Sequence, residues 1–412
     1  MPGGWPRPDV VECSSNRECA GRLTLQCADV AIVGAGPSGA WTAFLLARNG
    51  ARVLVLDPSH PREKPCGGGI TGRALALVAH ALPQPLPAVS IRRARFLDGD
   101  GHSTAVELTR TGTNPLVVSG RAAFDGSLLS AALAAGAELA RARAVDVRRA
   151  ARGFEIDTTD GRTLRAPVLV GADGANSLVR RRLHLPFARH QLSIATGYFA
   201  HGTTSDEIVL EFVADPPGYI WSFPRPDHLA IGICASAGGG VTSSALRAIA
   251  ARWIERTQLA GNADLEPYSW PVPSLSARDF DAVTVGGPQW YLVGDAAGVV
   301  DPITREGIFF ALRSASFAAD AVARSQGGGE RHYAERMQAE VMGELRRAAR
   351  FKDAFFQPRF TRLLIEALRC SAPIRTVMAD LVAGVQSYRG LKWRLAQTLE
   401  LGYAARALAA LR

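Results

Sequence analysis

Three glycines in Gly34-Ala35-Gly36-Pro37-Ser38-Gly39 stand at the spacing that lets a chain turn tightly and bring backbone N–H groups against a pyrophosphate. Asp57, at the end of the next apolar run, is placed to accept hydrogen bonds from a ribose hydroxyl. Together they read as a dinucleotide site. Two Asp/Gly pairs of opposite order follow, Asp173-Gly174 and Gly294-Asp295. Cys66 sits before Gly67-Gly68-Gly69, in a loop open enough for a thiol to approach a bound ring, although an ordinary buried thiol fits the same residues. Tyr219, Trp221 and Phe223 alternate, so in a strand they share one face and form either an aromatic wall for a flat or greasy ligand or simple core packing. Arg121 and Asp125 are spaced for an ion pair at a helix start. The histidines are dispersed, and none is assigned a role.

The elements that must hold these residues follow from apolar runs. Asp29 to Val33 reads as a buried strand, Pro37 to Asn49 as a helix closed by Gly50, and Arg52 to Leu56 as a second strand. This is a βαβ start. Alternation near 91–97, 103–109, 143–148 and 154–165 predicts strands and hairpins, and Ala122 to Ala135 a helix. Ala166 to Val170 and Trp290 to Val293 return as buried strands, each ending at one Asp/Gly pair. Residues 192–235 and 268–285 predict antiparallel strands, with turns at Asp215-Pro216-Pro217-Gly218 and Pro224-Arg225-Pro226-Asp227. Prolines at both ends of the aromatic segment predict a strand at a sheet edge. A helix is expected from Gly307 to Ala323, and helical spacing continues from residue 330 to Arg412.

The 412 residues suit two or three domains, and 47% hydrophobic with 21% charged residues is an ordinary globular composition. No apolar run is long enough to span a bilayer. The six cysteines are scattered without metal-ligand spacing, which predicts thiols in a reducing compartment and no metal site. Residues 1–27 have no signal-peptide core and read as a loose extension. The net charge of +9 lies almost wholly in residues 331–412, which carry 15 Lys/Arg against 7 Asp/Glu. Such a tail is either a solvated face or a surface for an anionic partner; Leu391, Leu395, Leu399 and Gly402, with Arg389, Lys392, Arg394, Arg406 and Arg412 around them, give it the pattern of a basic amphipathic helix.

The glycine, Asp-Gly and Gly-Asp motifs occur in the order seen in the flavoprotein hydroxylase and geranylgeranyl reductase superfamily, which this chain resembles. No second glycine motif follows residue 39 and no redox cysteine pair is present, which excludes a flavoprotein of the disulfide-reductase kind. Lys64-Pro65-Cys66-Gly67-Gly68-Gly69 and Pro216-Pro217-Gly218-Tyr219-Ile220-Trp221-Ser222-Phe223-Pro224 narrow the resemblance to the geranylgeranyl reductase family, as does the stretch from Gly384 to Lys392.

The resemblance implies an α/β fold: a Rossmann-type FAD-binding domain, glutathione reductase/hydroxylase-like, with an inserted antiparallel β-sheet substrate domain and a C-terminal helical region. The FAD domain is expected over 28–96, 116–187 and 286–326, the substrate domain over 97–115 and 188–285, and the helical region over 330–412. FAD would lie on Gly34, Gly36, Pro37, Ser38, Gly39 and Asp57. Lys64, Cys66, Gly67, Arg121, Asp173, Gly294 and Asp295 would contact it further along, and the helix start at Gly307 and Ile308 would face the flavin's pyrimidine edge. NADPH or reduced ferredoxin would supply electrons.

The implied activity is reduction of carbon–carbon double bonds of a geranylgeranyl or other prenyl-lipid substrate. An isolated alkene needs a hydride on one carbon and a proton on the other, with water excluded. Cys66, Tyr219 and Glu306, in that order, are the candidate proton donors or positioners, and Tyr219, Trp221, Phe223 and Arg305 the substrate contacts. Arg305 stands where many family members have Gly. The alternatives are an FAD-dependent monooxygenase and, less favoured, a halogenase of an aromatic or polyketide substrate. A non-catalytic flavin or lipid carrier is disfavoured by the three motif aspartates. The expected setting is cytoplasmic, peripheral at an anionic membrane, with no nucleic-acid partner.

Overall fold

The computed structural model describes residues 26–83, 85–97, 102–108, 116–238, 240–324, 328–400, 402, 403 and 406. Of the extension, only Gln26 and Cys27 are among them, and they form a short strand parallel to Thr163–Ala166 instead of a loose end.

Val30–Val33, Val53–Leu56 and Val168–Gly171 are short, almost wholly apolar strands, as strands covered on both faces must be. They lie in a six-stranded sheet in the order 286–287, 290–292, 168–171, 30–33, 53–56 and 138–140, parallel except at its first strand. Helices Pro37–Arg48, Arg121–Ala134 and Ile308–Val322 pack together on this sheet. A four-stranded sheet including Gly153–Thr158 and Thr163–Ala166 joins the same core through Phe154, Ile156 and Leu164.

The second large sheet has seven strands, in the order 264–273, 192–201, 228–236, 217–224, 207–214, 93–97 and 103–107. Arg93–Leu97 pairs in parallel with Glu207–Ala214, so residues 93–96 belong to this sheet and not to the FAD-side segment expected from sequence. The aromatic strand Pro217–Pro224 is central, not an edge: it pairs with 207–214 on one side and 228–236 on the other. Its prolines stand at the strand's two ends, where one missing N–H does not break the ladder. Helix Ser243–Thr257 covers one face, burying Ile220, Ile231 and Ile233 against Trp253. The opposite face carries Tyr219, Trp221 and Phe223. Within 268–285 the strand stops at Pro273, and Ala277–Ala282 is a helix capped by Ser276.

Gly329–Arg336 and the helical turns up to Phe355 pack back on the six-stranded sheet through Tyr333, Met337 and Leu345. Helices Pro358–Cys370 and Ala372–Val382 roof the second sheet. The expected long basic helix is not present among the described residues: Leu391–Ala396 is helical, and Leu399 adopts φ +59°. Arg394 pairs with Asp380 and Arg406 with Glu366, while Arg412 lies outside the described residues.

Candidate functional site

Strand 30–33 delivers the chain to Gly34, whose φ of +102° and contact with the Ala172 carbonyl leave no room for a side chain. At Gly39 a Cβ would overlap the Gly34 carbonyl, so this glycine lets helix 37–48 close on the strand. Gly36 differs. A Cβ there would point into a cleft, with His60 Nε2 the nearest atom at 3.7 Å. Among the described residues no side chain caps this helix, and its first turn holds no acid, so its N–H groups remain available to an anion.

Asp57 lines the same cleft but is already engaged. It accepts from the N–H groups of Ala35 at 2.9 Å, Ser59 at 2.8 Å and His60 at 2.9 Å, and its second oxygen meets His60 Nδ1 at 2.8 Å. His60 Nε2 lies 3.5 Å from the fully buried Asp125, which takes a two-pronged bond from Arg121 at 2.9 and 2.7 Å. Burial pulls the His60 imidazole down, yet Asp125 and Asp57 outweigh it and hold it above its usual range. Burial likewise opposes ionisation of Asp57, but His60 and the backbone donors keep its carboxyl well below the usual carboxylate range. Arg121 also borders the cavity on which Cys66 lies, and the two interact electrostatically. A buried line of charge thus runs from the glycine loop to Arg121. The sequence reading gave His60 no part in it; the only sequence signal was its closeness to Asp57.

Further along, Asp173 follows strand 168–171 and accepts from the Leu178 and Val179 N–H groups at 2.6 and 3.2 Å through Oδ2. Among the described residues its Oδ1 is buried without a partner, and burial pushes the carboxyl up. Asp295 faces Lys64, Nζ to Oδ2 3.1 Å. Gly307 and Ile308 open the helix 308–322 N-terminus onto the cavity. Gly294 does not line it: with φ +58° it lets the chain pass close to Ser38, and its N–H donates to Ser314 at 3.0 Å.

The cleft continues into an apolar chamber, the whole enclosing about 870 Å³. Tyr219, Trp221 and Phe223 form one wall, Leu210, Phe212 and Cys234 extend it, and Phe355, Met378 and Leu381 close it from the C-terminal helices. Cys66 and Gly67 lie on the wall shared with the cleft residues. Tyr219 donates to the Thr304 carbonyl at 3.3 Å, and burial pushes its phenol up. Arg305 adopts φ +60°, a conformation that favours glycine, and donates to Ser274 Oγ at 2.8 Å, as does Lys352 at 2.8 Å. Glu306 pairs with Arg73 and accepts from Thr71 at 2.6 Å. Every sequence-predicted site residue except Gly39 and Gly294 therefore borders one cavity.

The open cradle at Gly36, the uncapped helix N-terminus and the orphaned Asp173 oxygen fit a pyrophosphate carrying hydroxylated chains, which is what FAD presents. The FAD binding domain family matches residues 27–332. A menaquinone reductase of Mycolicibacterium smegmatis is 31% identical over 71% of this chain and 76% of its own. A geranylgeranyl diphosphate reductase of Rhodobacter capsulatus is 29% identical over 71% of this chain and 74% of its own. In three dimensions, a geranylgeranyl bacteriochlorophyll reductase-like protein of Thermoplasma acidophilum superposes with a TM-score of 0.75 at 22% identity, covering 91% of this chain and 100% of that one. With the motifs and the cleft in agreement, the chain belongs to the FAD binding domain family and, within it, to the FAD-dependent oxidoreductases that include the geranylgeranyl reductases.

Proposed function

We propose that this oxidoreductase saturates carbon–carbon double bonds of a prenyl-lipid substrate. The observation that carries the reading is the continuity of the FAD cleft with a chamber walled by Tyr219, Trp221, Phe223 and aliphatic side chains, with Cys66 between the two. When bound, FAD supplies the electron pair, replenished by NADPH or reduced ferredoxin. The chain's own residues exclude water and hold the alkene flat against the aromatic wall. Cys66 delivers the proton. Tyr219 ranks second, since its hydroxyl proton is directed at the Thr304 carbonyl, and Glu306 third, since Arg73 and Thr71 hold its two oxygens. Arg305 reaches the chamber from a strained backbone position that glycine would occupy without cost, which supports a role in binding the substrate's head group.

The same reading extends to the surface. A prenyl chain partitions into bilayers, and the region after the chamber's roof exposes Trp393 at 70% and Leu399 at 80%, beside Arg389 and Lys392. An anionic membrane is the proposed contact. Among the described residues, no helix is long and apolar enough to cross a membrane.

The enzymatic reading is tested by chemically reducing the bound FAD under argon and adding geranylgeranyl diphosphate. Return of the oxidised flavin spectrum without oxygen is expected, about 10- to 100-fold slower in Cys66→Ser. A spectrum that stays reduced until air enters would favour the monooxygenase.

A further inference from the structure

We propose that Arg225 is the positioning residue of the Cys66 loop, holding the thiol and the aromatic wall as one unit. Arg225 directly follows the strand that carries Tyr219, Trp221 and Phe223, and its side chain is fully buried. A guanidinium keeps its charge in any environment, so a buried one must be paired and hydrogen-bonded. One terminal nitrogen meets the Glu63 carboxylate and lies 3.3 Å from His228 Nε2; the other donates to the Cys66 carbonyl at 2.6 Å. The Phe199 ring lies beneath the cation at 5.0 Å.

The partner carboxylate is itself fixed. Glu63 accepts from the N–H groups of Arg121 at 2.8 Å and Ala122 at 3.2 Å, capping a helix whose own cap residue, Gly120, has no side chain to do so. Glu63 therefore ties Arg225 to the helix that also carries Asp125. On the other side of the cysteine, Phe223 packs where a Cβ at Gly67 or Gly69 would stand, 3.1 and 3.2 Å away. Gly68, at φ +82°, turns the chain so that its N–H reaches the Cys66 sulfur at 3.4 Å. The loop is thus gripped by two features of the wall strand's end, the Phe223 ring against its glycines and the Arg225 guanidinium on its cysteine's carbonyl.

Arginine suits this task and lysine does not. The planar fork serves Glu63 with one nitrogen and Cys66 with the other, whereas an ammonium offers a single point of attachment. Arg225→Lys keeps the charge opposite Glu63 while giving up the two-point hold. Arg225→Met removes both and leaves Glu63 and the Cys66 carbonyl short of a partner.

The test uses the FAD-loaded enzyme and iodoacetamide, with the alkylation rate of each cysteine read by peptide mass spectrometry and exposed Cys370 as internal reference. If Arg225 holds the loop, Arg225→Lys melts near the wild-type temperature, retains FAD, and alkylates at Cys66 about tenfold or more faster, as expected when one hydrogen bond to a charged donor is lost. Arg225→Met shows the same acceleration if it folds; the lysine variant decides the matter if it does not. An unchanged or slower Cys66 rate in folded Arg225→Lys overturns the proposal. That Cys66 acts on the alkene rests on the reading above and is checked separately with geranylgeranyl diphosphate. A Cys66→Ser/Arg225→Lys double variant no slower than Cys66→Ser shows that Arg225 acts through the thiol. If Cys66→Ser alone turns over normally, the catalytic reading of Cys66 falls, and the alkylation rate still decides the clamp.

Discussion

At Gly36 the backbone is unstrained and the space above it is cleft, so a side chain there competes with the cofactor and with little else. Gly36→Val is expected to fold, to purify colourless and to bind FAD about 100-fold more weakly, equivalent to about 2.8 kcal/mol. Flavin titration of the refolded variant measures this, and wild-type affinity would remove the glycine loop from the cofactor site. Gly39 is a different case despite sharing the motif, because its Cβ would overlap the Gly34 carbonyl. Spacing alone does not separate these two uses of glycine; the loop's own Gly34 carbonyl, against which Gly39 but not Gly36 packs, does. Cys66, Tyr219 and the aromatic triplet could be read from residue type and alternation. Glu63, His60 and Arg225 could not, since each takes its meaning from a partner in another element: Arg225 and Glu63 are 162 residues apart.

Among the elements, the βαβ start and the two returning strands were legible because four-residue apolar runs bounded by glycine have few other readings. Helix 243–257 was not, as its buried face amounts to Leu246, Ala250, Trp253 and Ile254 in a mostly polar segment. The central place of strand 217–224 was hidden by its terminal prolines, and the parallel pairing of 93–97 with 207–214 joins segments too distant for any local pattern. The loop after strand 53–56 and helix 121–134 are joined by the Asp57, His60, Asp125 and Arg121 line, which makes their docking pH-sensitive. The carboxyls are held below their usual range, so their contribution is complete above about pH 4 and fades as acid protonates them. The imidazole is held above its usual range, so its contribution is complete below about pH 6.5 and fades as alkali removes its proton. Melting temperatures of wild type and His60→Gln should therefore differ most between about pH 4 and 6.5 and converge above it. A gap that widens with alkali would mean that His60 is neutral in the fold.

For the molecule as a whole, the two sheets meet around one cavity, and the C-terminal helices both complete the FAD-side core and roof the chamber. The basic excess legible in the sequence is partly consumed in the fold, with Arg394 and Arg406 paired to acids, which leaves Arg389 and Lys392 beside the exposed Trp393 and Leu399. Co-sedimentation with vesicles rich in anionic lipid is expected at low salt and is expected to weaken at high salt, at about 1 kcal/mol per basic residue near the surface. Trp393→Ser should weaken it too, and protein that stays in the supernatant at low salt would leave this face merely solvated. Prenyl reduction itself is decided by the product formed from geranylgeranyl diphosphate under argon with chemically reduced enzyme. Mass spectrometry should find product heavier by one H2 for each saturated bond, with no oxygen incorporated. Unchanged substrate under argon, with an oxygenated product appearing only in air, would contradict the reductase and make the protein a monooxygenase.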